Sequence, residues 1–345
     1  MKKIYLLVIA IIPLFNPNQA KACDSCNFFE YSLLENKSFF GLFYRSRKFD
    51  NYLLYPNKTA SVIQTYPAQL GTRLLPWNAP EVMHEPEGNG LYVQKSKQDF
   101  ETYQTIEARG NYTLKNKWNF TFLLPYEFNK VYYEKYLNIP KPVRDTTLFV
   151  QGWGDLTLAT DYIHLIYNPK SRHTLRPGIA VTLPTGQALV KSAIEIQEPF
   201  DPIIQPGRGA FSFIPRFNYQ WFLEKQGINI GMSYQWSTEG EQEYEFGNSF
   251  NAFLQYFYQV SIGQKLILVP NAGLYFESAE KDLLQGIEQE LTGGKVSFAQ
   301  VGVDLNYTKT TFSFIFQKPF SQTLNGNQIL NQNRISVGLI RSFKM

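Results

Sequence analysis

The residues that could do chemistry are few and scattered. There are three histidines, His84, His164 and His173, and two cysteines, Cys23 and Cys26. A hydrolase needs a nucleophile and a base held together. The chain has no GxSxG elbow, no HExxH pair and no phosphate-binding P-loop. His84 falls in a long connector, His173 at a turn, and His164 on the apolar parity of its strand, pointing outward. The expectation is therefore no enzyme, no cofactor and no metal. A lipid hydrolase built into a barrel stays as the rival, and would need a serine beside His164. The cysteines form a CxxC, C-D-S-C. In an exported chain this is a local disulfide, half of a metal site, or a redox pair. Asn27 follows Cys26 where haem attachment would need histidine, and no second CxxC exists. A structural Cys23–Cys26 disulfide, or no special role, is the favoured reading.

Charge offers a more organised pattern. Arg45, Arg47, Glu107, Arg109, Glu127, Asp155, Asp161, Arg216, Asp304 and Arg334 each take the polar parity of an alternating segment. Both signs are present. In a narrow barrel such residues cross-link the interior as ion pairs, and in a wider one they tune what passes.

Those positions must be set by strands. Residues 118–128, WNFTFLLPYEF, put Trp118, Phe120, Phe122, Leu124, Tyr126 and Phe128 on one face. Asn119, Thr121 and Glu127 lie on the other. Strict alternation predicts a strand with two unlike faces. Six large apolar residues in a row suit a bilayer crossing, which takes roughly 9–11 residues. Similar patterns cover 38–48, 102–114, 210–221, 228–236, 249–260 and 334–343, with 152–166 among them. Weaker alternation covers 173–183, 265–276, 296–307 and 310–317. The total is about twelve, an even number, as single-chain bacterial barrels require. In 152–166, Leu156, Leu158 and Tyr162 then meet lipid, while Asp155 and Asp161 point inward. Each carboxylate there needs a basic partner such as Arg109, Arg176 or Arg216.

The connectors alternate in length. Long ones are expected at 51–99, 131–151, 184–208, 278–293 and 318–331, with a moderate one at 238–243. Short ones are expected at 115–117, 168–172, 224–227, Gly263 and Lys309. A sandwich has no reason to sort loops by parity. A membrane barrel does, with short periplasmic turns and long extracellular loops.

Composition agrees. Aromatic residues make up 16% and charged residues 18% of the 345, and the net charge is only +4. This suits strands and aromatic girdles, and excludes a basic nucleic-acid-binding surface. Mean hydropathy is −0.27, against a helical membrane protein. The first 22 residues read as a secretory signal peptide: Lys2 and Lys3, an apolar run from Ile4 to Phe15, and Ala20-Lys21-Ala22. Acylation at Cys23 is the alternative to plain cleavage after Ala22. Residues 23–37 would form a periplasmic or lumenal segment, and 38–345 the barrel.

Three motifs carry a family resemblance. Gly152-x-Gly154-Asp155-Leu156 opens a strand, Leu183-Pro184-Thr185-Gly186 follows the next, and Gln205-Pro206-Gly207-x-Gly209 opens a third. In this order they resemble the transporter-like outer-membrane barrels of the meta-pathway phenol-degradation family. CDSCN followed by FFGLFYRSRKF resembles related Bacteroidota barrels with an N-terminal CxxC. Those continue as CxxCxC; Asn27 and Phe28 stand there instead, so no metal role carries over. The resemblance covers most of 23–345. It implies passage of small, hydrophobic or aromatic compounds across the outer membrane.

The expectation is thus an all-β, antiparallel up-and-down barrel in the outer membrane. Its partners would be outer-membrane lipid, barrel-assembly machinery and a small-molecule solute, without nucleic acid. The charged residues above would line the solute path. A structural or adhesive barrel acting through its long loops is the third possibility.

Overall fold

The computed structural model describes residues 37–52, 97–136, 144–191, 199–326 and 328–343. The signal peptide, the segment before residue 37, the CxxC pair and His84 lie outside the described residues.

Among the described residues eighteen strands follow one another. They are β1 (Ser38–Tyr52), β2 (Phe100–Leu114), β3 (Trp118–Tyr136), β4 (Arg144–Trp153), β5 (Leu156–Tyr162) and β6 (His164–Tyr167). Next come β7 (Ser171–Leu183), β8 (Ser212–Leu223), β9 (Gln226–Ser237), β10 (Tyr244–Glu245), β11 (Ser249–Tyr258) and β12 (Val260–Ile262). The last are β13 (Leu266–Ala279), β14 (Leu283–Leu284), β15 (Ile287–Glu288), β16 (Gly294–Tyr307), β17 (Thr310–Leu324) and β18 (Ile329–Phe343). β4, β5 and β6 together make one crossing, as do β11 and β12. Each neighbouring pair is antiparallel, and β1 pairs with β18 from Ser38 opposite Phe343, closing a 12-strand barrel. β10, β14 and β15 form a separate small sheet in the loops.

The alternation read in the sequence is the alternation of the wall. Phe120 is 45% exposed while its neighbours Asn119 and Thr121 are 6% and 5% exposed. Outward on other crossings stand Phe40, Leu42, Ile106, Leu158, Ile179, Phe213, Leu254, Leu274 and Leu339, all exposed. A soluble protein would hide that band. In a bilayer it is the surface that lipid covers. Closing the sheet leaves no unpaired edge inside the membrane.

Short turns and long connections segregate to opposite ends. Residues 115–117, 168–170, 224–225, 263–265 and 308–309 close one end, where Ser38 and Phe343 also lie. The turn residues Lys115, Asn116, Glu224 and Thr308 take positive φ, as tight hairpin turns demand. Two expected long connectors are corrected. Residues 131–151 and 318–331 are mostly strand, since β3 runs to Tyr136, β4 starts at Arg144, β17 runs to Leu324 and β18 starts at Ile329. Beyond the bilayer, backbone pairing continues although the outer face no longer needs apolar residues. Pairing, unlike lipid, leaves no mark of alternation.

The strand expected over 152–166 is also corrected. β4 and β5 are interrupted at Gly154-Asp155. Before the break Leu148, Val150 and Gly152 are the buried set; after it Asp155, Thr157, Ala159 and Asp161 are. The inward parity changes from even to odd, the signature of a bulge. β3 pairs with β5 over Trp118–Leu123 and with β4 from Tyr126 onward.

Candidate functional site

The inward faces carry mainly small polar side chains, and these bond across strands. Thr157 pairs with Thr182 at 2.9 Å, Asn218 donates to Asn229 at 2.8 Å, and Gln317 donates to Gln300 at 2.8 Å. All six are buried. Such ladders satisfy polar groups that burial would otherwise penalise.

The ten charged positions singled out in the sequence all fall on inward parity. Arg216 meets Asp161 through two parallel bonds, Nε to Oδ1 at 2.7 Å and Nη2 to Oδ2 at 2.5 Å. Arg109 pairs with Glu107 and lies over the Phe43 ring, 4.3 Å from its centroid. Glu127 accepts from the Thr105 hydroxyl at 2.8 Å. Arg47 stands over the Tyr103 ring at 5.3 Å. Asp304 is buried and Arg45 half-buried. Arg334 holds Glu277 by two bonds of 2.6 and 2.9 Å, holds Asn331 at 2.9 Å, and lies 4.1 Å from the Phe298 centroid. Glu277 lies on β13 one residue past the expected boundary at 276, so sequence reading missed it.

Asp155 is the exception to the expected pairing. Its hydrogen bonds come not from Arg109, Arg176 or Arg216 but from two backbone amides, and the basic charge that acts on it is that of Arg208. Gly186 N–H donates to Oδ1 at 2.8 Å and Arg208 N–H to Oδ2 at 2.7 Å. Arg176 instead donates to Asn218 Oδ1 at 2.8 Å. A carboxylate holding two amides of a returning loop is a latch. It ties the connection after β7 to the wall at the bulge.

Three glycines make that latch possible. A Cβ on Gly186 would lie 2.6 Å from the Gly154 carbonyl carbon, and one on Gly207 would lie 2.7 Å from that of Gly186. The backbones of three motifs therefore stack directly: Gly-Asp at the bulge, Pro-Thr-Gly after β7, and Gln-Pro-Gly before β8. Gln205 knits the loop further, bonding the Val190 N–H and the Val190 and Phe200 carbonyls at 2.8–3.1 Å. Ile204, fully buried, packs with Tyr103, Val131, Leu148 and Val150 at the mouth. Asn129 Nδ2 donates to the Ile204 carbonyl at 3.0 Å.

Below this loop an apolar belt lines the inner wall along the arc from β3 to β16. Leu123, Ala159, Ala180, Ile214, Phe253, Tyr275, Val296 and Phe298 form one buried cluster. Several are direct cross-strand partners: Ala159 with Ala180, Ala180 with Ile214, Phe253 with Tyr275, and Tyr275 with Phe298. In the sequence they hide among polar inward residues. Only the register of distant strands brings them level.

The remaining histidines do not enter the lumen. His164 is exposed on the outer side. His173 Nδ1 is 2.8 Å from the Tyr219 hydroxyl, on the parity opposite the buried Thr174. Among the described residues no group of three or more histidine, cysteine or acidic side chains could hold a metal.

A closed antiparallel barrel with a lipid-facing band, sorted loops and a polar interior is an outer-membrane β-barrel, and its place is the outer membrane. Residues 93–323 match the family described as a putative MetA-pathway of phenol degradation, and the chain belongs to that family. A search of curated protein sequences gives no match. Among solved structures, the COG4313 outer membrane channel from Pseudomonas putida F1 is similar, with a TM-score of 0.57 and 14% identity. The match covers 91% of this chain and 98% of that one. A Pseudomonas aeruginosa FadL homologue matches at a TM-score of 0.37 and 10% identity, over 90% of this chain and 91% of that one. At that similarity it carries no argument.

Proposed function

We propose that this barrel carries small, hydrophobic or aromatic solutes across the outer membrane and performs no catalysis. The apolar belt from Leu123 to Phe298 supports this reading most. Hydrated ions lose solvation at such a belt, whereas an aromatic or alkyl body gains contact there. The polar ladder and paired charges supply hydrogen bonds for a substituent without leaving a lone charge exposed. The family's description, which concerns phenol degradation, points to the same solute class. A hydrolytic role finds no support in His173, which faces outward beside Tyr219.

Purified barrel in liposomes should speed entry of phenol relative to glucose, and conduct salt poorly in planar bilayers. A folded barrel that neither conducts nor binds any small solute would sink the proposal. Deleting residues 53–96 separates an adhesive role. If the barrel acts as an adhesin through its long loops, the deletion abolishes that function and leaves solute entry unchanged.

A further inference from the structure

The five short turns share a feature that solute passage does not use. Each carries an exposed lysine: Lys115 and Lys117 in the first, then Lys170, Lys225, Lys265 and Lys309. Glu224 is the only acidic residue in these turns. Among the described residues none of the six lysines enters an ion pair.

Their backbones are held in place. The carbonyl of Lys117 accepts from Ile163 N–H at 2.7 Å, that of Lys225 from Gln259 at 2.5 Å, that of Lys265 from Thr308 at 3.2 Å, and that of Lys309 from Ser342 at 2.8 Å. Each bond ties a turn to a neighbouring crossing or to the next turn. The charges are thereby spaced round the whole rim rather than gathered on one side. Just above the turns stand outward aromatics. Trp118 packs against Tyr162 with ring centroids 5.1 Å apart, and Tyr258 and Tyr307 are exposed. Such girdles sit at the level of lipid headgroups. The ammonium groups therefore lie at the charged layer of the leaflet on that side.

At the opposite end the described loops carry both signs: Glu239, Glu241, Glu243, Glu245 and Glu280 lie there, and so do Lys191, Arg208 and Lys281. The short turns differ in that every one carries a lysine and only one carries an acidic residue.

We infer that the lysine rim binds anionic phospholipid headgroups of the leaflet facing the short turns. A partner protein recognises a sector, so its contact charges would cluster. Charge present in every turn fits a partner that surrounds the barrel, and the lipid annulus does. Phosphodiester oxygens without a compensating choline offer these lysines a net attraction.

The test uses the full barrel in nanodiscs of phosphatidylcholine, probed with spin-labelled phosphatidylglycerol and spin-labelled phosphatidylcholine. The protein should select phosphatidylglycerol by about fivefold, the order expected when one lysine engages one headgroup. The preference should fall towards one as salt shortens the screening length. It should vanish in the combined variant Lys115→Gln, Lys117→Gln, Lys170→Gln, Lys225→Gln, Lys265→Gln and Lys309→Gln. Equal association of the two lipids with the unaltered barrel overturns the inference, as does a preference that the variant keeps. Should the variant not fold, judged by heat-modifiable gel mobility, the salt titration of the unaltered barrel decides, and a salt-insensitive preference overturns the inference. None of these lysines touches the lumen, so the outcome is independent of solute transport.

Discussion

Arg334 on β18 reaches past β17 and β16 to hold Glu277 on β13, with both guanidinium–carboxylate bonds formed inside the barrel. The side chains are 5% and 2% exposed. The pair braces an arc of the wall that backbone pairing joins only strand by strand.

Removing one partner should be costly, because the other is left as a buried, uncompensated charge. Arg334→Ala or Glu277→Ala should each lose about 3–5 kcal/mol of folding stability. The double variant Arg334→Met with Glu277→Leu should lose less than either single change. Urea unfolding of the refolded barrel in detergent measures all three, and additive losses would contradict the coupling.

Asp155→Ala should release the loop after β7. It removes an acceptor from the Gly186 and Arg208 amides, each bond to a charged group contributing about 1.5–3 kcal/mol. The expected readouts are faster tryptic cutting after Lys191 and higher conductance. Asp155→Asn, which keeps one acceptor oxygen, should fall between. Unchanged cutting would mean that Gln205 and Ile204 hold the loop without the latch.

Gly186→Ala should produce the same release by a different route. Its added methyl collides with the Gly154 carbonyl carbon and with Asp155 Oδ1, which would lie 2.6 and 2.8 Å away. Backbone cannot yield there as a side-chain tip could. The folded barrel should persist, with the loop protease-sensitive.

Phe298→Ala should open the belt. The cost is about 3–5 kcal/mol for a buried phenylalanine, and salt conductance should rise. If conductance is unchanged while stability falls, the belt is packing alone.

Glu245, on the small loop sheet, should give that sheet an acid preference. Burial first, then Glu239 and Glu280, raise its pKa above the ordinary carboxylate value. A raised folded-state pKa contributes stability fully below the unfolded value, and that contribution is lost as pH rises through the folded value. Amide-exchange protection at Tyr244 and Glu245 should therefore be higher near pH 4 than at pH 8. Glu245→Gln should flatten the difference.

The crossings were legible because lipid and lumen demand unlike residues at every second position. Phe120 beside Asn119 and Thr121 records that demand directly. Asp161 with Arg216 was legible for a related reason, since inward charges must be neutralised within reach. Asp155 was not. Its hydrogen-bond partners are backbone amides, which carry no residue identity, the basic residue near it, Arg208, sits in a loop without strand parity, and the bulge beside it reverses parity without changing composition. The ends of β3, β4, β17 and β18 were equally silent, because outside the bilayer the outer face is free to be polar.

The sequence alone thus determined a twelve-crossing barrel, its inside and its outside, through a two-residue period that local physics enforces. Register and closure decided the rest. They set Arg334 against Glu277, brought Gly154, Gly186 and Gly207 into one stack, and lined up Ile214, Phe253, Tyr275 and Phe298 as a belt. Each of these joins residues tens of positions apart, and their meeting depends on how the strands are paired round a closed sheet.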